Sequence, residues 1–251
     1  MKKLLAIALI LTVQFGFSQT TYYIEISKKL VEAAKAKNVK EATGYMDLIA
    51  KADENELIKQ LEGDTAKKAF FINVYNGFTN ISLRKNPEQY KDRSAFFKSE
   101  QFVIAGNKES LDIIEHGFLR RSSIKWSLGT LHKLFPSKLD RKFRVKDVDY
   151  RIHFSLNCGA KSCPPVGMYD AKNLEKQLDA STDKYLKANT TYTKEKNNLV
   201  VPALMSWFRG DFGCKKGVIK IAKQFKIIPN DVKPDLDYKD YDWTIDLNNF
   251  L

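Results

Sequence analysis

Residues 64–85 read DTAKKAFFINVYNGFTNISLRK, and this stretch decides the fold. Asp64 is a natural N-cap, and Asn86-Pro87 ends the run because the residue before a proline disfavours α geometry. Between these ends, Ala69, Phe70, Phe71, Ile72, Val74, Tyr75, Phe78, Ile81 and Leu83 leave no broad polar face. A helix that is apolar almost all round is buried on every side. The stretch therefore predicts a central helix with the other elements packed around it. It also carries amides: Asn73, Asn76 and Asn80 fall within about 60° of arc at 3.6 residues per turn. A buried amide without partners costs about 1–3 kcal/mol. These three are thus expected to hold other polar groups, either bracing loops to the core or orienting a site.

Towards the N-terminus, Ile24, Ile26, Leu30, Val31 and Ala34 fit one face of a helix from about Tyr23 to Asn38. A second helix is predicted from about Val39 to Leu61, closed by Gly63. Towards the C-terminus the pattern shortens. Gln101–Ala105 reads as a strand followed by a Gly106-Asn107 turn, and helix character returns over Leu111–Arg120. Arg151–Asn157 alternates polar and apolar as a half-buried strand does. Asn173–Lys187 reads as an amphipathic helix and Tyr192–Val201 as a hairpin. Two helices follow over Leu204–Arg209 and Lys216–Phe225, and Tyr241–Ile245 reads as a last strand. Helices lead and short strands are scattered, which points to α+β: a helix-rich single domain over residues 20–251 with a small, mostly antiparallel sheet.

Residues 1–19 form a different kind of segment. Lys2 and Lys3 precede an apolar run from Leu4 to Phe17, and Ser18-Gln19 supplies an exit before Thr20. These are the parts of a secretory signal, and the run falls short of the about 20 apolar residues that span a bilayer. The mature chain is expected to start near Thr20 and to be periplasmic or secreted, with no integral membrane segment after cleavage. The formal net charge is +12, and its lysines are interleaved with acids rather than gathered in runs. That spacing describes a solvated basic surface, and nucleic acid is not an expected partner of an exported chain.

The three cysteines, Cys158, Cys163 and Cys214, are an odd number in a chain bound for an oxidising compartment, so at least one thiol stays unpaired. Cys158 with Cys163 closes a small loop, and Cys163 with Cys214 a larger one that leaves Cys158 free. Cys158 sits just past the expected strand. Asn157 and Gly159 flank it, and the backbone N–H groups of Cys158 and Gly159 are candidate oxyanion donors. A thiol nucleophile needs a base. His153 is near in sequence but faces away on a regular strand. His116 is free to approach, with Asp112 four residues back on the same face. Glu115 points about 100° away on an α-helix. Zinc fits poorly because C-x4-C is not the C-x2-C spacing of common sites; no metal or cofactor is expected.

Five segments are similar to one family. They are Ala69–Asn76 (N-x-Y-N), Asp112–Arg120 (I-E-H), Arg151–Pro165, Trp207–Phe212 and Tyr241–Trp243. In this order, over about residues 40–245, they resemble the domain of unknown function 547. The resemblance implies recurrence of Asn73, Tyr75, Asn76, Glu115, His116, His153, Asn157, Cys158, Gly159, Cys163 and Pro164. By chemical analogy it points to a papain- or transglutaminase-like arrangement, with His116 ahead of the nucleophile as in permuted papain-like folds. Cys214 lies outside these motifs.

Two functions follow as expectations. One is a cysteine-dependent hydrolase or acyltransferase acting on a peptide-like or other amide substrate of the envelope. It takes Cys158 as nucleophile, His116 as base, and Cys163 and Cys214 as the disulfide candidates. The other is a non-catalytic envelope binding domain in which the Asn, His and Cys residues only brace the core.

Overall fold

The computed structural model describes residues 21–251, so the expected signal at residues 1–19 lies outside the described residues. The long apolar helix, α4 (Gly63–Lys85), is the axis of the molecule, and Phe70, Phe71, Ile72, Val74, Ile81 and Leu83 are fully buried around it. Against it pack α1 (Tyr22–Lys35) and α2 (Val39–Ala50). The α1 contact is close: a Cβ on Gly77 would stand 2.5 Å from Leu30 Cγ, so only glycine lets the two helices approach this far.

The stretch expected to form one helix from Val39 to Leu61 is two. After α2 the chain breaks at Lys51–Asp53 and restarts as α3 (Glu54–Gln60), because the Asp53 side chain accepts from the Glu56 N–H at 2.9 Å and caps a new helix. After α5 (Arg93–Lys98) come β1 (Phe102–Ile104) and β2 (Asn107–Glu109), an antiparallel pair. Ala105 and Gly106, both at positive φ, form the two-residue turn between them. Next come α6 (Lys138–Phe143) and α7 (Leu174–Asn189). The predicted hairpin forms as β3 (Thr191–Thr193) and β4 (Asn198–Val201), and α8 (Leu204–Trp207) and α9 (Cys214–Gln224) follow. The chain's last strand is β5 (Asp235–Tyr238), parallel to β4. The protein is thus helix-rich α+β with two small sheets. No helix among the described residues is long and apolar enough to cross a membrane.

Two expectations about strands fail for instructive reasons. Arg151–Asn157 is not a strand: Tyr150–Phe154 forms a 3-10 turn, capped by Asp149 accepting from the Arg151 N–H at 3.1 Å. Every residue from Ile152 to Asn157 is buried, so the polar positions do not mark a solvent face. Tyr241–Ile245 is not a ladder strand either. It crosses the loop after Cys158, where Lys161 N–H donates to Thr244 O (2.7 Å), Ser162 N–H to Asp242 O (3.2 Å), and Ala160 bridges Ile245.

The apolar residues form two clusters. One surrounds α4 and includes Ile152 and Leu156; the other joins Phe154, Tyr185, Leu199, Met205, Phe212 and Ile221. Ile152 and Phe154 enter different clusters from one short turn, and Tyr241 packs against both. The candidate site lies at this seam.

Candidate functional site

A cavity of about 390 Å³ opens at the seam. The α4 side contributes Tyr75, and the 3-10 turn and its continuation contribute His153, Leu156 and Cys158. From α8 and its C-terminal extension come Leu204, Trp207 and Phe208, while Tyr241 and Trp243 close one wall. In this wall Trp207 and Trp243 stack, 5.5 Å apart and 17° from parallel, and Tyr241 sits tilted against both at 4.8 and 4.6 Å. The lining also includes the polar residues Asp112, Glu115, His116 and Lys125. An apolar cavity with a few converging polar groups is the usual form of a small-molecule site.

The amide stripe of α4 builds the approach to Cys158. Asn73 donates to Tyr169 O (2.8 Å) and accepts from Tyr169 N–H (2.9 Å). Asn76 donates to Ser155 O (2.8 Å) and accepts from Asn157 N–H (2.8 Å), which pins the residues just before Cys158. Asn80 donates to Leu247 O at 3.0 Å. Asn157 then ties the next loop, accepting from Gly159 N–H (2.8 Å) and donating to Pro164 O (2.7 Å). The turn needs Gly159: its φ is +87°, and a Cβ there would meet Leu83 Cδ1 at 2.6 Å.

The loop closes on itself through a disulfide between Cys158 and Cys163, and Cys214 is an exposed free thiol. The larger pairing of Cys163 with Cys214 is therefore not formed, since the loop turns Cys163 back onto Cys158 while Cys214 starts α9 on the surface. The expected oxyanion donors are also engaged elsewhere. Cys158 N–H points at Cys163 Sγ (3.0 Å) and Gly159 N–H at Asn157.

The helix carrying Glu115 and His116 is wider than expected. Ile113–Leu119 is π-helical, and Arg120 N–H donates to Glu115 O, five residues back, at 2.9 Å. The wider turn lessens the rotation per residue, so Glu115 and His116 both line the cavity rather than diverging. Asp112 does not orient His116: the closest approach is 4.0 Å, and both Asp112 oxygens lie 2.9 Å from Lys125 Nζ. Arg120 does so instead, with Nη1 2.6 Å from His116 Nδ1. A guanidinium can only donate, so His116 Nδ1 accepts and the proton sits on Nε2. Burial, then the Arg120 charge, holds the His116 pKa down to about 3, so the ring is a neutral donor.

His153 has the complementary arrangement. Its Nε2 lies 2.7 Å from Asp211 Oδ2, and its ring stacks on Phe208 at 4.0 Å. Burial alone would raise the Asp211 pKa, but hydrogen bonds from His153 and Arg120 outweigh it and hold the carboxylate ionised. His153 Nε2 therefore donates, and Nδ1 keeps the lone pair of the neutral ring. Burial lowers the His153 pKa, with Asp211 opposing. Arg120, fully buried, also grips Asp211 through Nε (2.6 Å) and Nη2 (3.2 Å). Burial pushes the Glu115 carboxyl up, Arg120 and His153 pull it back, and Tyr75 Oη donates to it at 3.3 Å. Neither histidine hydrogen-bonds Cys158; its sulfur meets Tyr241 Oη at 3.4 Å.

Of the residues expected at a site, the structure brings Asp112, Glu115, His116, His153 and Cys158 to one cavity. Asn73, Asn76, Asn157 and Gly159 act through the backbone around it. Arg120, Asp211 and Tyr241 were not singled out from the sequence. Their only signal was position within the Asp112–Arg120, Trp207–Phe212 and Tyr241–Trp243 motifs. No group of three His, Cys, Asp or Glu among the described residues is placed to hold a metal ion.

A family model described as "Protein of unknown function, DUF547" matches residues 58–186, about half of the chain. No curated protein and no solved structure matches the chain. The chain belongs to the DUF547 family.

Proposed function

We propose that this DUF547 protein is an exported cysteine-dependent hydrolase or acyltransferase that works, in its dithiol form, on a peptide-like or other amide substrate with an apolar or aromatic group. The observation that carries this reading is that Cys158 Sγ and a histidine oriented by a buried carboxylate, His153 on Asp211, line the same cavity. Nucleophile, base and orienter are the three parts such chemistry needs.

The roles proposed for the histidines differ from the expectation from sequence, and the tautomers support the change. His153 Nδ1 has its lone pair available to take the Cys158 thiol proton. His116 Nδ1 is occupied by Arg120, so His116 offers its Nε2–H to the oxygen of the attacked carbonyl. Cys158 Sγ adds to the carbonyl carbon, and the leaving amine departs with the proton held on His153. Water, or a second amine, then cleaves the thioester. The aromatic wall of Trp207, Tyr241 and Trp243 holds the apolar part of the substrate.

Export is part of the proposal, supported by the charged start and apolar run of residues 1–19. A mature protein retaining that segment by mass spectrometry would remove it. The second reading, a non-catalytic envelope binding domain, is favoured by the disulfide, because an oxidised Cys158 cannot attack.

The decisive experiment treats reduced, folded protein with an aromatic peptidyl vinyl sulfone at pH 7 and maps adducts by mass spectrometry, with exposed Cys214 as internal standard. Cys158 is expected to react well ahead of Cys214, and His153→Gln to slow it by about 10²- to 10⁴-fold. Labelling of Cys158 no faster than Cys214 leaves the binding reading.

A further inference from the structure

The bridge between Cys158 and Cys163 is asymmetric. Cys158 is half-buried and lines the cavity, whereas Cys163 is 3% exposed and does not. A thiol entering by the cavity therefore meets Cys158 Sγ first.

The other sulfur is prepared to leave. Three donors surround Cys163 Sγ: the N–H of Cys158 (3.0 Å), the N–H of Ala160 (3.3 Å) and the O–H of Tyr241 (3.1 Å). Hydrogen bonds to an anion are stronger than those to a neutral acceptor, so all three favour a Cys163 thiolate over the bridged sulfur. A leaving thiol of lower pKa leaves faster. Tyr241 Oη also lies 3.4 Å from Cys158 Sγ, so its single proton is within reach of either sulfur.

The bridge is also not what holds the loop. Asn157 ties Gly159 to Pro164, Lys161 N–H is on Thr244 O, and Asn249 Nδ2 is 2.9 Å from Cys163 O. None of those contacts runs through either sulfur. A cross-link between residues five apart also restrains the unfolded chain little, because the entropic effect grows with loop length.

We infer that Cys158–Cys163 is an exchange site for a low-molecular-weight thiol with an apolar or aromatic body. In the first step the thiolate R–S⁻ forms a bond to Cys158 Sγ as the Cys158–Cys163 bond breaks. The electron pair stays on Cys163, giving Cys158–S–S–R and a Cys163 thiolate. In the second step another thiolate attacks the R-side sulfur, releasing R–S–S–R and the Cys158 thiolate. Two thiols are oxidised and one protein disulfide is reduced, so the thiol is itself the reductant. The aromatic wall selects the body of the thiol. The product is the free Cys158 that the proposed hydrolytic reading requires, but the exchange stands without it.

The test uses the folded, oxidised protein and benzyl mercaptan in limiting amount, with acid quenching, alkylation by N-ethylmaleimide and peptide mapping. The expected result is a benzylthio adduct on Cys158, maleimide on Cys163, and Cys214 alkylated with or without the thiol. Tyr241→Phe removes one of the three donors and should slow the exchange about tenfold. An adduct on Cys163, a bridge that opens only in urea, or Tyr241→Phe exchanging at the wild-type rate would overturn the inference. The site of the adduct is read in the wild-type protein, so a poorly folding variant does not blunt the test. If exchange occurs at Cys158 while the vinyl sulfone ignores the freed thiol, only the hydrolytic reading falls.

Discussion

Replacing Asp211 with asparagine should be among the most damaging conservative changes in this protein. The shape is kept, so no cavity is made; what is lost is one negative charge and one of two acceptor oxygens, both of which are engaged. That charge faces Arg120, whose guanidinium is fully buried and makes two contacts to Asp211 at 2.6 and 3.2 Å. Its other close partner, His116, is neutral and offers only a lone pair. Removing one partner of a buried pair typically costs about 3–5 kcal/mol, because the remaining charge is stranded away from water. For a domain of this size that corresponds to a fall in Tm of about 6–20 °C. The loss should appear in urea unfolding of the oxidised protein, followed by circular dichroism at pH 7.5. Arg120→Met combined with Asp211→Asn should be less destabilised than the two single changes added together, since it no longer strands the cation. The pH dependence has a definite sign. Asp211 has a depressed pKa in the folded state, so its contribution is present above the ordinary Asp range and is lost as the pH falls through the folded value. Wild type and Asp211→Asn should therefore converge below about pH 4. A single variant within 1 kcal/mol of wild type, or a strictly additive double variant, would refute the assignment of Arg120 and Asp211 as a coupled buried pair (the threshold being about the scatter expected for independent sites).

Two further predictions concern stability. Glu109 is 6% exposed, and burial together with Asp140 and Glu100 pushes its carboxyl up to about 7, so the folded state binds this proton more tightly and stability falls as pH rises from the ordinary Glu value to about 7. Glu109→Gln should abolish that decline, adding about 1–2 kcal/mol at pH 8 after solvent screening and nothing at pH 4, as read from urea midpoints at the two pH values. Gly159→Ala should cost about 2 kcal/mol, because the backbone is at φ +87° and the new methyl meets Leu83; thermal unfolding equal to wild type would show that the turn relaxes freely.

The fold was legible where one physical signal dominated. Residues 64–85 are apolar on all sides, and only a central helix buries them, so α4 follows directly from its composition. Capping is legible too at Asp53, whose acceptor geometry splits a long helical pattern into α2 and α3. Arg151–Asn157 misled because alternation distinguishes a strand only when its polar positions face water. Here Asn76 binds the backbone on either side of Leu156, and Asp211 binds His153, so the polar residues are buried with the apolar ones. The π-helical turn was not legible, since nothing in the order of residues 113–119 separates it from an α-helix. That one local difference brings Glu115 and His116 into the same cavity.

The site also shows why histidine tautomers resist assignment by spacing. Sequence separation ranks His116 with Asp112 as a plausible pair, yet which nitrogen of an imidazole holds its proton depends on what touches the other nitrogen. Arg120 touches Nδ1 of His116, and Asp211 touches Nε2 of His153, so one buried ion pair sets both rings in opposite senses. Asp211 and Tyr241 both lie beyond the residues 58–186 that match the family model. A chain ending at residue 186 would leave Arg120 without its carboxylate, His153 without its orienter and Cys163 Sγ without its hydroxyl donor. The geometry of the cavity thus depends on residues 187–251, which supply the carboxylate that binds His153 and Arg120 and the aromatic wall beside Cys158.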